Sequence, residues 1–364
     1  MPLKWKRVWV ADETFESAGV FDVNGDGKPD IVSGAYWYQG PDFRKKHFIG
    51  PVKAVGEYYD DFSTIPMDVN GDGRLDIVTG GWWSKALRWI ENPGQNGGEW
   101  VSHDIGPTAN IETTRAWDID GDGRLEIVPN TPPSRDVFYF KLKTDAKGKG
   151  TGAFDRITVF EFPEKQTQGH GLGCGDVAGN GRMDIVLAKG WLECPANPEK
   201  DKWIWHPEFD LDRASIPVIV ADINGDGLNE LIVGQAHGYG LDWWQQKVEK
   251  GKRTWTKHPI DPFNAQYHDL IWADIDGDGQ PELVTGKRHR AHNGNEAGEW
   301  DDVGIYYFKW TGEGFAKQIV DYGPIGEGKG CGIHFALADL RGTGRLDIVA
   351  PGKDGLYIYY NEGL

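Results

Sequence analysis

Residues 68–78 read DVNGDGRLDIV, an acidic, glycine-punctuated loop followed at once by a β-branched run. The phrase returns as DVNGDGKPDIV at Asp22, DIDGDGRLEIV at Asp118, DVAGNGRMDIV at Asp176, DINGDGLNELIV at Asp222, DIDGDGQPELV at Asp274 and DLRGTGRLDIV at Asp339. Successive openings are 46, 50, 58, 46, 52 and 65 residues apart. A unit of that size cannot bury its own apolar face. A period kept over the whole chain therefore reads as a closed array of small sheets.

Around the loop at Asp68, Phe62 to Met67 leads in, IVTGGW follows, then LRWIENPG, then EWVSHDIG. Short β-branched and aromatic runs separated by Gly, Asn, Asp and Pro are strands, and four per unit make a propeller blade. The third strand recurs as AYWYQG, VFYFKLK, GWLECP, LDWWQQ, GIYYFKW and GLYIYYNEG. The expected fold is all-β, a seven-bladed β-propeller forming a single domain over residues 1–364. The last unit stops near Tyr360 and lacks the segment seen at Trp100–Ile105 and Trp255–Ile260, whereas WKRVWVAD at Trp5–Asp12 matches it. The amino-terminal strand is thus expected to complete the seventh blade, leaving no exposed sheet edge.

The chain has 39 Lys+Arg against 56 Asp+Glu, a formal charge of −17, which argues against nucleic acid or an anionic membrane as partner. No run approaches the ~20 apolar residues of a membrane span, so no membrane insertion is expected. MPLKWKRVWV is not a secretory signal. Cys174, Cys194 and Cys331 have neither zinc spacing nor an even disulfide framework and read as thiols.

Oxygen-bearing side chains stand at loop positions one, three, five and nine around an obligatory glycine turn, the pattern a hard cation such as calcium takes. Five loops are intact: Asp22, Asn24, Asp26 and Asp30; Asp68, Asn70, Asp72 and Asp76; Asp118, Asp120, Asp122 and Glu126; Asp222, Asn224, Asp226 and Glu230; Asp274, Asp276, Asp278 and Glu282. The fourth loop carries Ala178 and Asn180 instead and should bind weakly or not at all. In the seventh, Arg341 and Thr343 replace ligands, and the Arg341 guanidinium is expected to pair with Asp339 and Asp347. The competing account is a set of Asx-rich turns without metal.

Function must lie in what departs from the repeat. His47, His103 and His258 share a slot in the fourth strand, with His206 close to it, and belong to the scaffold. His170 and His268 lie six residues before their loop aspartates and His334 five, at the entry of the innermost strand, where Glu112 and Glu16 also fall. His237, His289 and His292 follow second strands, in GQAHGYG and GKRHRAHNG. Because strands alternate in direction, both sets belong to one face, opposite the calcium loops. With Lys189, Lys287, Arg288, Arg290, Tyr239 and Tyr267 they are expected to converge on one end of the funnel. Imidazoles there can hold a divalent transition metal or act as acid and base. Arg and Lys can stabilise an anion, and Tyr can deliver a proton.

The acidic loops and aromatic third strands resemble FG-GAP and VCBS repeats, a family of seven-bladed propellers found in integrin heads and secreted bacterial proteins. That resemblance implies calcium in the hairpin between first and second strands and a periplasmic or secreted setting, the signal having been removed. At GHGLG, AHGYGLDW, YHDL, KRHRAHNG and GIHF the chain also resembles the propeller portion of the aldos-2-ulose (anhydrofructose) dehydratases, without their cupin domains, and more loosely the propeller polysaccharide lyases. This implies a carbon–oxygen lyase performing β-elimination on a keto- or uronic sugar. Carried onto these positions, His170, His237, His268 and His334 are metal ligands or base, Arg288 and His292 orient or stabilise an anion, Tyr239 or Tyr267 donates a proton, and Lys189 and Glu112 complete the set. The alternatives are a lectin-like propeller that binds carbohydrate without turnover, and an adhesion module.

Overall fold

The computed structural model describes residues 2–95, 98–166, 170–290, 292 and 294–364. Gly169 of the GHGLG stretch, and Ala291 and Asn293 of KRHRAHNG, lie outside them. Seven four-stranded antiparallel sheets form the blades. Their innermost strands are Gly19–Phe21, Ile65–Met67, Thr114–Trp117, Leu172–Gly175, Ile219–Ala221, Tyr267–Ala273 and Ala336–Ala338. The seventh blade is completed by Lys4–Ala11, which pairs antiparallel with Leu356–Gly363 from Lys4 opposite Gly363 to Ala11 opposite Leu356. Closure by the amino-terminal strand is therefore as the sequence implies. Among the described residues there is no helix, and none long and apolar enough to cross a membrane.

Each acidic loop shapes itself through its own side chains. In the second blade Gly71 and Gly73 take φ of 74° and 88°, conformations glycine adopts without steric cost. Asp68 accepts the Gly71 N–H at 2.8 Å on Oδ1 and the Gly73 N–H at 3.0 Å on Oδ2. The ninth-position Asp76 is fully buried and accepts the Val69 N–H at 3.0 Å and the Asn92 N–H at 2.8 Å, tying the loop to the end of the third strand. Asp184 does the same for Ala178 and Cys194 in the fourth loop, and Asp347 for Leu340 and Asn361 in the seventh. Retention of this carboxylate in the two degenerate loops follows from backbone satisfaction, which costs dearly to leave unmade when buried.

Alternation along each second strand wedges the blades together. Ile31 and Tyr38 pack toward Val349 and Ile358 of blade seven, while Val32 and Trp37 pack toward Ile77 of blade two. On the outer strands His47, His103, His206 and His258 stack on Trp37, Trp89, Trp191 and Trp243, with centroids 3.9–4.5 Å apart and planes within 19°. His206 thus occupies the same slot as the other three, directly opposite its tryptophan in the strand register.

Candidate functional site

The entries of the inner strands and the exits of the second strands meet at one end of the axis. There Glu112, His170, His237 and His268 each place one ligand atom within 4.8 Å of the others. All four side chains are buried or nearly so. Nε2 of His170 lies 3.4 Å from Glu112 Oε1 and faces Nε2 of His237. Burial, reinforced by Arg288 and by the neighbouring imidazoles, drives His170 and His268 well below the ordinary histidine value. His237 is lowered too, again first by burial. Burial raises Glu112 to about 7. These rings are therefore neutral near pH 7.

Between Lys287 and Val303, in the longest of the seven units, the described residues fold over this end. Lys287 is buried and anchors the segment through the carbonyls of Gly298 and, at 2.9 Å, Asp301. Glu299, also buried, accepts the backbone N–H groups of His292 and Glu296. So held, Glu296 accepts Nδ1–H from His237 at 2.5 Å on one oxygen and from His292 at 2.6 Å on the other. Partial burial opposes ionisation of Glu296, yet the two imidazole hydrogen bonds take it down to about 2. An ionised carboxylate only accepts, so both rings carry a proton on Nδ1, and in the neutral form of either ring Nε2 is the lone pair. His292 is stacked on His237 at 4.4 Å and is itself half-exposed.

Arg288 is committed. Its Nε and Nη2 donate to the two oxygens of buried Glu16 at 2.7 and 2.9 Å, and Nη1 donates to His268 Nε2 at 3.0 Å. His268 Nδ1 faces the Gln266 carbonyl at 3.4 Å. Buried Lys353 lies 3.6 Å from Glu16, and burial takes it down to about 8. Arg288 and Lys353 thus meet an internal carboxylate rather than open solvent, whereas the exposed Arg213 pairs with Glu296 at 3.2 Å.

The other residues singled out from the sequence stand outside this cluster, Lys189 on a cleft it shares with His170. Tyr267 is buried inside its blade, its hydroxyl donating to Asp261 at 2.8 Å, and does not reach the funnel. Tyr239 stands exposed at the lip, donating to Asp301 at 2.6 Å. Lys189 is exposed, 3.8 Å from Asp210. His334 turns Nδ1 to the Ala18 carbonyl at 3.2 Å, and burial, with Arg115 next, takes it down to about 3. His289 is buried, and burial lowers it to about 4. Glu296 escaped the sequence reading because it lies in an insertion with no counterpart in other units. The signal available was the 65-residue spacing itself.

Two clefts flank the cluster. One, of about 230 Å³, runs past Tyr58, Phe62, Trp82, Trp83, Glu112, Arg288 and His292. The other, of about 400 Å³, passes Asn130, Thr131, Phe162, His170, Lys189 and Trp205.

At the opposite face the acidic loops divide by their third position. Where it is Asp, a lysine from the third strand bridges the carboxylates: Lys141 contacts Asp120, Asp122 at 3.1 Å and Glu199 at 2.9 Å, and Lys309 contacts Asp276, Asp278 at 2.5 Å and Glu282 at 3.3 Å. Where it is Asn, in the loops at Asp22, Asp68 and Asp222, that strand position holds Gln39, Glu91 or Gln245. Among the described residues no lysine bridges the oxygens of those three loops, although Arg74 pairs with Asp72. The carboxylates that converge within 4.8 Å are Asp118, Asp120 and Asp122, and Asp274, Asp276 and Glu282, sets that fit a hard cation. In the two Asp loops an ammonium already sits among the oxygens, so a cation must displace it. Arg341 in the seventh loop pairs with Asp347 at 3.2 Å and Glu362 at 2.8 Å, while the Asp339 carboxylate serves backbone amides.

The family description "FG-GAP-like repeat" matches residues 22–79, 68–128 and 214–285. The chain is a seven-bladed FG-GAP-repeat propeller. Among solved structures this propeller is similar to an Agrocybe aegerita lectin that recognises non-reducing terminal N-acetylglucosamine, at 17% identity over 97% of this chain and 91% of that one, TM-score 0.50. It is similar to BBS1N in complex with ARL6DN, at 11% identity over 98% and 97%, TM-score 0.54. Rhamnogalacturonan lyase YesW is 13% identical over 99% of this chain and 75% of that one, TM-score 0.49. At such identities the likeness concerns the fold. No curated protein matches the chain.

Proposed function

We propose that the funnel mouth of this FG-GAP propeller binds a carbohydrate and carries out β-elimination on a keto- or uronic sugar, as a carbon–oxygen lyase. The observation that carries the reading is Glu296, which takes Nδ1–H from both His237 and His292 and leaves the Nε2 of the half-exposed His292 without a partner among the described residues, beside an aromatic cleft. A carboxylate–imidazole pair with a free nitrogen is suited to general-base work. His292 Nε2 takes the proton α to the carbonyl or carboxylate. Those electrons form a C=C bond as the β C–O bond breaks, and the departing oxygen leaves as water or an alcohol after regaining a proton from the imidazolium or solvent. Trp82 and Trp83 offer faces on which a sugar ring can stack. Arg288, neutralised by Glu16, acts in this reading on the orientation of His268. The calcium loops stiffen the opposite face, with the three Asn-containing loops binding more tightly than the two latched by lysine.

The test is a panel of keto-sugars and uronic polymers monitored for enone or unsaturated-uronate absorbance. Growth of either band supports elimination. Silence across the panel with sugar binding retained favours the second reading, binding without turnover, which the Trp82–Trp83 cleft would serve equally. An extracytoplasmic setting accords with carbohydrate in either role.

A further inference from the structure

We infer that Glu112, His170 and His237 form a mononuclear site for a divalent transition metal in the funnel, with His268 beside it rather than in it. The three come from blades three, four and five and share a space small enough for one ion. Ligand atoms about 2.1 Å from a tetrahedral ion stand about 3.4 Å apart, and His170 Nε2 lies 3.4 Å from Glu112 Oε1. Nε2 of His237, with Nδ1–H given to Glu296, turns its lone pair to Nε2 of His170; the two nitrogens stand closer than two ligands of one tetrahedral ion, so the rings part to admit it. The Glu296–His237 pair is the outer-sphere arrangement that orients a ligating imidazole.

His268 differs because Arg288 occupies its Nε2. Three protein ligands leave coordination positions open for water or substrate, as in catalytic rather than structural centres. Two imidazoles and a carboxylate suit zinc, iron(II), manganese(II) or nickel(II) in preference to calcium or magnesium. Nothing in this inference requires that the protein performs elimination.

Cobalt(II) serves as the probe. Chelator-stripped protein is first saturated with calcium, so that the acidic loops are filled, and then titrated with cobalt(II) while visible absorption and histidine ring NMR are followed. The expected result is one equivalent bound, with the His170 and His237 resonances broadened. Glu296→Gln should weaken binding by about 10–100-fold, and the double change His170→Ala, His237→Ala should weaken it about 100-fold or more. His334→Gln, a buried histidine outside the set, should leave binding unchanged, and melting curves report whether each variant is folded. Cobalt(II) that binds without perturbing either ring, or binds the folded double variant as tightly as wild type, overturns the site. Tight binding without any unsaturated product would count against elimination and leave this inference standing. Elimination by protein that shows no nitrogen-ligated cobalt would do the reverse.

Discussion

Arg115 of blade three donates Nη2–H to Asp269 of blade six at 2.7 Å, and the contact crosses the propeller axis. The same guanidinium reaches the carbonyls of Ile216 at 2.5 Å and Ile333 at 3.4 Å, while Asp269 accepts the Phe335 N–H at 2.8 Å. One buried ion pair thus ties blades three, five, six and seven together along the strands that carry the imidazoles.

Removing one partner leaves a buried charge uncompensated. Arg115→Met is expected to lower the unfolding free energy by about 3–5 kcal/mol, read as a shifted urea midpoint. Arg115→Met with Asp269→Asn should cost less than the single change. A single variant with wild-type stability would show that the axis needs no such pin.

The lysine latches predict unequal calcium sites. Lys309 lies 2.5 Å from Asp278 and 3.3 Å from Glu282, so an incoming ion must expel the ammonium. Titrating chelator-stripped protein calorimetrically should resolve three tighter sites, those opened by Asp22, Asp68 and Asp222, from weaker ones. Lys309→Met should move the site at Asp274 into the tight class by removing the competing charge. Five equivalent sites, unaffected by this substitution, would contradict the division.

Closure by the first strand makes the amino terminus part of the ring. Deleting residues 1–11 strips the outer edge from Leu356–Gly363, losing several backbone hydrogen bonds worth about 0.5–1.5 kcal/mol each and the cover that Leu3 gives Tyr307 and Tyr359. The melting temperature should fall by many degrees, with self-association at the bared edge. An unchanged melting curve for the truncated chain would refute this closure.

The sequence displays the fold because every local rule agrees. The glycines after Asp22 and Asp68 require positive φ, the ninth carboxylate repeats in degenerate loops, and the missing last strand has its match at Trp5–Ala11. The site is less legible. Counting back from the acidic turns brings Glu112, His170 and His268 together, since inner-strand entries obey the repeat. Counting cannot say which way a side chain turns. Tyr267 sits at the right height, yet its ring enters the blade core toward Tyr306. Glu296 depends on a fold unique to one insertion, held by Lys287 and Glu299.

The aromatic cleft predicts a binding phenotype. Trp83 packs against Phe62 at 5.8 Å and Tyr58 at 5.9 Å, which positions its indole at the cleft wall. Trp82→Ala or Trp83→Ala should raise KM up to about tenfold, the loss of one aromatic contact, with kcat much less affected. A collapse of kcat at constant KM would place these rings in the chemical step instead.

The most direct test of the central claim is the initial rate of unsaturated-product formation, measured beside thermal melts for wild type, His292→Gln and Asp72→Ala. The account predicts that His292→Gln loses about 10²–10⁴-fold in rate at an unchanged melting temperature, while Asp72→Ala keeps its rate at 25 °C and melts a few degrees lower. Equal rates for His292→Gln and wild type, or loss of rate only in step with unfolding, would contradict it.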